Sequence, residues 1–134
     1  MKKVDDFINN WVETDSKTKQ AFIEIYGHLK KLEDISFDFK ARPKVSFSLR
    51  PRHNSQKKRS LFAMVDVIDD DPKDRWLSIC FYGEMITDPD EAGDLIPEGL
   101  LGEDGYCFDL YEYNNAELEY LKQRLTQAHK NARE

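Results

Sequence analysis

The spacing of apolar residues changes once along this chain, at Ile35, and this change constrains the fold more than any other feature. Before it, apolar residues recur every three or four positions, which is the spacing of one helix face. They are Val4, Phe7, Ile8, Trp11 and Val12, followed by Phe22, Ile25, Tyr26, Leu29 and Leu32. Polar residues 14–16 separate the two groups and favour a break. We therefore predict helices over 3–13 and 16–33, with Gly27 packed closely against a neighbour.

Beyond this point apolar and polar residues alternate, which is typical of strands with one buried face. The alternation runs through 35–40 and 45–50, on either side of a proline that marks a break. Residues 61–68 are apolar on both faces, which predicts a strand covered on both sides. After an aspartate-rich turn, residues 76–82 predict a fourth strand.

Residues 83–105 follow no period, although they contain six large apolar side chains. They predict a long loop whose apolar residues must cover some other surface of the protein. Residues 106–111 predict a short fifth strand. Asn114 and Glu117 have the spacing of a capping box, which places the start of a final helix over 115–132.

This order of elements predicts a single α+β domain rather than a parallel α/β fold. The sheet is expected to be antiparallel, with four to five strands and with the N-terminal and C-terminal helices packed on one face. A chain of 134 residues is near the commonest domain size. The predicted domain 1–134 comprises helices in 3–33, strands in 35–82, a long loop in 83–105, a short strand in 106–111 and a helix in 115–132.

Written as α-β-β-β-β-β-α, this order resembles the small bacterial α+β domains of the YjbR and YdhG kind. The resemblance covers most of the chain as an order of elements. It implies the fold and a bacterial source, and the first of these families shares its general architecture with frataxins, which handle iron through carboxylates. The acidic residues that would loosely correspond are Asp5, Asp6, Glu13 and Asp15. The Asn-Lys-Gln…Trp strand signature of frataxins is absent, so the resemblance implies no activity and we expect no metal site.

The two faces of the predicted sheet differ in composition. One face is expected to pack on the helices, and its members are Phe37, Phe47, Leu49, Leu77, Ile79 and Phe81. The other face would show small residues, with Met64 among them and Trp76 and Tyr82 at its ends. Small residues rimmed by aromatic ones can form the floor of a pocket. The residues of this predicted pocket are Ser46, Ser48, Ser78, Cys80, Asp109 and Tyr111. We expect the 84–105 loop to lie across this face more readily than the face to serve as a pocket floor, and the sequence leaves open whether the loop is a lid or a fixed plug.

Charge is strongly segregated along the chain. Residues 39–65 contain eight Lys or Arg and no acid, whereas residues 76–121 contain twelve acids and no Lys or Arg. The net charge of −6 does not reveal this asymmetry, because it sums over the whole chain. The separated charges create local electrostatic fields of opposite sign.

Three interpretations of the charge remain open. Solvated faces without a partner are the default, because an exposed charge pair contributes only about 0–1 kcal/mol. Complementary charges could instead pair two copies in a homodimer, or bind another protein. In the third interpretation, a basic loop binds the phosphates of a nucleic acid. The surrounding acidic residues would repel a long nucleic acid and so disfavour this interpretation. The residues of this loop are Arg50, Arg52, Lys57, Lys58 and Arg59.

Motifs for catalysis are missing from the sequence. It has no glycine-rich phosphate loop and no nucleophile elbow, and its three histidines lack metal-ligand spacing. Cys80 and Cys107 make no disulfide framework by themselves and are expected to be small buried residues. No apolar run is long enough to span a membrane, and residues 1–6 lack the apolar core of a signal peptide. Together with the absence of a disulfide framework, this predicts a cytoplasmic protein as the default. The leading hypothesis is a non-enzymatic binding or self-association module without a cofactor; a small-molecule or enzymatic pocket is the alternative.

Overall fold

Three α-helices and six β-strands make up the computed structural model of this chain, which describes all residues 1–134. The helices are α1 (Lys2–Asn10), α2 (Thr18–Lys30) and α3 (Asn115–Asn131). The strands are β1 (Ile35–Arg42), β2 (Ser46–His53), β3 (Met64–Ile68), β4 (Trp76–Tyr82), β5 (Asp94–Leu100) and β6 (Glu103–Leu110). A 3₁₀ turn, Gly83–Met85, follows β4. The α+β class predicted from the change of period is thus confirmed.

All six strands belong to one antiparallel sheet, in the order β1-β2-β3-β4-β6-β5. The prediction of four to five strands was too low, because β5 lies within the segment predicted as a loop. This strand is at the edge of the sheet and contains Pro97, which an edge strand tolerates. Leu95 and Ile96 are exposed there, so β5 has no buried face to impose an alternating pattern.

The core is formed by alternate strand residues together with buried residues of all three helices. Of the predicted inner-face residues, Leu49, Leu77, Ile79 and Phe81 are fully buried, and Phe37 and Phe47 are half-buried against the same cluster. The helices contribute Val4, Ala21, Phe22, Ile25, Leu29, Leu118, Leu121 and Leu125. The aromatic ring of Phe7 in α1 packs against Phe39 and Phe47 of the first hairpin. These aromatic contacts join α1 to the alternating apolar residues of β1 and β2.

Several element boundaries differ from the predicted ones. Helix α1 ends at Asn10, because Trp11 is extended, with φ −84° and ψ 118°; its side chain is nonetheless buried. Strand β3 begins only at Met64, and its outward residues are half-buried, so it is not covered on both sides. The predicted cap of α3 is confirmed, since the Asn114 side chain accepts a hydrogen bond from the Glu117 N–H. The expectation for Gly27 was wrong: a Cβ there would have no neighbour within 4 Å.

Candidate functional site

The side of the sheet that alternates with the core residues is here called the outer face. Register and alternation assign to it Ser36, Asp38, Lys40, Arg42, Ser46, Ser48, Arg50, Arg52, Met64, Asp66, Ile68, Trp76, Ser78, Cys80, Tyr82, Cys107, Asp109, Asp94 and Ile96. No hydrogen bond, ion pair or aromatic contact joins a helix side chain to any of them. The outer face is therefore a surface of the sheet on which the chain itself places no helix.

The segment predicted to lie across the outer face is elsewhere. Its first part is held by α3, where the Thr87 N–H donates to Gln127 and Asp88 contacts Tyr120. Asp88 also accepts the N–H groups of Ala92 and Gly93, and the Tyr120 hydroxyl and these N–H groups lower its pKa against the effect of burial. Its second part is β5. The expectation that residues 84–105 form a plug or a lid over this face is therefore wrong.

A row of polar side chains crosses the middle of the outer face. The register places Lys40 beside Ser48, Ser48 beside Asp66, Asp66 beside Ser78, and Ser78 beside Asp109. The row thus begins with a lysine on β1 and ends with an aspartate on β6. A polar row of this kind makes the centre of the face polar rather than apolar, although Ser48 within it is buried.

Asp66 at the middle of this row has an unusual environment. Burial raises the pKa of its carboxyl, and the Ser48 hydroxyl and the charges of Arg50 and Arg42 oppose that effect only in part. One carboxyl oxygen, Oδ1, is buried without a hydrogen-bond partner in the protein. The two arginines are held beside it, because Arg50 Nε donates to the Ser48 hydroxyl at 3.0 Å and Arg42 Nη2 lies 3.5 Å from the Ser46 hydroxyl.

The charges of the outer face are divided between its two halves. The basic half, formed by β1 and β2, carries Lys40, Arg42, Arg50 and Arg52 against the single acid Asp38. The acidic half, formed by the other four strands, carries Asp66, Asp94 and Asp109, and those strands contain no lysine or arginine. The charge segregation seen along the sequence thus becomes a division across one surface.

The predicted pocket residues do share one surface. Ser46, Ser48, Ser78, Cys80 and Asp109 all lie on the outer face, as the alternation predicted. Tyr111 directly follows β6; its ring lies 4.8 Å from that of Trp76, and its hydroxyl donates to Asp109 at 3.4 Å. No helix covers these residues, and the structure encloses no pocket among them; Ser46 and Ser48 are themselves buried, with Arg42 and Arg50 hydrogen-bonded to their hydroxyls.

Cys80 and Cys107 form a disulfide, contrary to the expectation of two unlinked cysteines. They are directly opposite each other on β4 and β6, with their Cα atoms 4.1 Å apart. They are 27 positions apart in sequence, the segment between them includes the 3₁₀ turn and β5, and only the resulting register brings the two together. The bond lies on the outer face and ties the two central strands of the acidic half.

The residues of the predicted basic loop lie in two different places in the structure. Arg50 and Arg52 belong to β2 and the outer face. Arg59 lies over the Tyr82 ring and is ion-paired with both Glu84 and Glu103, and it lowers the pKa of Glu103. The charge of Arg59 is therefore compensated within the chain, which leaves Lys57 and Lys58 as the loop's free cations.

Comparison with known proteins adds no relative to this picture. No protein-family model, curated protein or solved structure matches the chain. The similarity to the YjbR and YdhG domains stays a prediction. No group of three or more His, Cys, Asp or Glu side chains is placed to hold a metal ion. None of the helices has the length and apolar character that crossing a membrane requires.

Proposed function

We propose that this chain is a non-enzymatic self-association module and that its outer face binds the outer face of a second copy. No helix side chain makes a hydrogen bond, ion pair or aromatic contact with this face, which supports its use by a partner. The division into a basic and an acidic half is the observation that carries the proposal. A surface divided in this way is complementary to itself.

Geometry defines how the two copies would meet. A two-fold axis that runs parallel to the strands, between two facing sheets, places the basic half of each copy over the acidic half of the other. The same rotation places Asp66 of one copy opposite Ser78 of the other, because β3 and β4 are the two central strands. Sheets packed face to face are about 10 Å apart, which long side chains such as arginine can bridge.

The expected contact is small and polar. Six strands spaced about 4.8 Å apart, with four rows of outward residues about 7 Å apart, cover roughly 25 by 25 Å. This corresponds to roughly 600 Å² from each copy, near the lower end of specific protein interfaces. Together with the polar central row, this area supports a reversible, salt-sensitive dimer rather than an obligate one.

The alternatives have less support from the site. Nucleic acid would meet the basic half but be repelled by Asp66, Asp94 and Asp109 on the same face. A small-molecule pocket among the serines lacks a covering segment. A cytoplasmic location stays a prediction, and the Cys80–Cys107 disulfide argues against it, because reducing compartments keep thiols reduced.

Charge reversal tests the proposal. Sedimentation velocity of the full chain at low salt should show a dimer that accumulates between about 5 and 500 µM protein. Arg50→Glu and Asp109→Lys should each weaken association at least tenfold, and an equimolar mixture of the two variants should associate again. Lys130→Glu, on an exposed position of α3, is the matched control and should associate like the unmodified chain. A chain that stays monomeric throughout this range, or a mixture no better than its components, would refute a charge-paired dimer.

A further inference from the structure

A second surface, on the helix side of the sheet, has the features of a small-molecule site. A groove of about 610 Å³ lies between α1 and the β1–β2 hairpin, away from the outer face. This volume is within the usual range of ligand sites, about 300–1,000 Å³. Its lining residues are Lys3, Asp6, Phe7, Asn10, Phe39, Ala41, Phe47 and Arg75.

The apolar part of the groove is aromatic. The rings of Phe7 and Phe47 are stacked with centroids 4.4 Å apart, and Phe39 stacks on Phe47 at 6.4 Å. Phe7 and Phe47 are only half-buried, so part of each ring is exposed to the groove. A planar ring from a ligand can continue this stack, because aromatic rings pair favourably at centroid distances of about 4.5–7 Å.

The polar part of the groove is a fixed arginine. Arg75 Nε donates to Asp69 Oδ1 at 2.7 Å, and the other oxygen of Asp69 accepts the Lys44 N–H at 2.7 Å. The guanidinium carbon of Arg75 lies 5.2–5.5 Å from the centroids of the Phe47, Phe7 and Trp11 rings. The Arg75 side chain is only 15% exposed, so both its orientation and its partial desolvation are set before any ligand arrives.

The terminal nitrogens of the Arg75 guanidinium make no hydrogen bond within the protein. Its Nε makes the one hydrogen bond of this group within the protein, and the terminal nitrogens are not among the buried atoms. An arginine fork with free N–H donors matches the geometry of a carboxylate. At the mouth of the groove Lys3 adds positive charge, and Asp6 is paired with Lys2 at 3.1 Å.

From the aromatic floor and the partly unpaired arginine we infer that this groove binds a small molecule with a planar aromatic ring and one carboxylate. The ring lies over Phe7 and Phe47, and the carboxylate accepts hydrogen bonds from the terminal nitrogens of Arg75. This site is independent of self-association, because it is formed by α1 and the inner side of the first hairpin.

Three probe molecules test the contributions of the carboxylate and of the aromatic ring separately. Two of them each lack one feature of the first. Titration of the ¹⁵N-labelled full chain with 2-naphthoate should shift the amide signals of α1, β1 and β2. We expect 2-naphthamide, which lacks the charge, and cyclohexanecarboxylate, which lacks the aromatic ring, to bind at least tenfold more weakly. Equal binding of all three, shifts confined to other regions, or no shift by 10 mM naphthoate would overturn the inference.

Variants then assign the effect to residues. Arg75→Gln should weaken naphthoate binding at least tenfold without changing the affinity for naphthamide, and Arg133→Gln is the control. Because Arg75 also pairs with Asp69, its variant could fail to fold; Phe47→Leu supplies a second test. We expect Phe47→Leu to weaken naphthoate binding several-fold and to leave cyclohexanecarboxylate binding unchanged. An unaltered naphthoate affinity in both folded variants, or in Phe47→Leu when Arg75→Gln does not fold, would overturn the assignment.

Discussion

Asp66 is a single side chain whose ionisation opposes folding. Burial raises the pKa of its carboxyl, so the folded chain holds this proton more strongly than the unfolded chain does. A group with a raised carboxyl pKa reduces stability wherever it is ionised in both states. Its unfavourable contribution therefore grows as the pH rises from the ordinary aspartate pKa of about 3.8 through the raised pKa of the folded state.

Replacing Asp66 by asparagine should reveal this contribution. Asp66→Asn keeps the size of the side chain and removes the charge, so the variant should be more stable than the unmodified chain at pH 7. The difference should shrink as the pH falls toward 4, because the carboxyl then becomes neutral as well. Urea unfolding at several pH values measures it, with the exposed turn variant Asp70→Asn as the control. A variant less stable at pH 7 would show that Arg42 and Arg50 stabilise the carboxylate more than burial penalises it.

At the scale of elements, α2 contains a glycine in its interior that no neighbouring residue makes necessary. Gly27 lies within this helix, and a Cβ at that position would meet open space. Gly27→Ala should therefore stabilise the chain by about 0.5–1 kcal/mol, because alanine restricts the unfolded chain and favours helix. Thermal unfolding should show a midpoint about 2–4 °C higher.

Gly93→Ala is the matched substitution, and we expect it to lower the stability of the chain. A Cβ at Gly93 would approach the ring of Phe108 to 2.7 Å, and Phe108 is itself packed in the core. We expect a loss of about 1–3 kcal/mol from overpacking. Equal effects of the two alanines would mean that backbone preference, rather than local space, decides both.

The elements predicted correctly are those with a strong local signal. Periodicity placed α2 and the first strands, and the Asn114 cap placed the start of α3. Strand β5 was not predicted, because Leu95 and Ile96 are exposed on its two sides. An edge strand of this kind produces no alternation of apolar and polar residues in the sequence. Its identity depends on pairing with β6, which is a tertiary contact.

The candidate sites divide in the same way. Alternation alone placed Ser48, Ser78 and Cys80 on one face, because the side chains of a strand point to two sides in turn. The disulfide and the ion pairs of Arg59 depend on residues distant in sequence, and no local pattern encodes them. Arg75 was missed for the same reason, since only the packing of α1 on the first hairpin creates its groove.

At the scale of the whole molecule, the net charge and the charge pattern predict opposite effects of salt on self-association. Two copies that each carry −6 repel each other, so salt would strengthen their association if net charge decided the outcome. Complementary halves of the outer face attract each other, and salt would then weaken association. At contact distances of a few ångströms the pattern should dominate, because the opposing halves are much closer than the average charges of the two chains.

The salt dependence of self-association therefore decides which description holds. Raising NaCl from 50 to 500 mM shortens the screening length from about 14 to about 4 Å. We expect the dimer dissociation constant of the full chain, measured by sedimentation velocity, to rise about tenfold over this range. Arg50→Glu should show a flat or reversed dependence, since it removes attraction and leaves the net repulsion. If salt instead strengthened association of the unmodified chain, the contact would have to be apolar, with the Trp76–Tyr111 pair at the rim of the outer face as its natural centre.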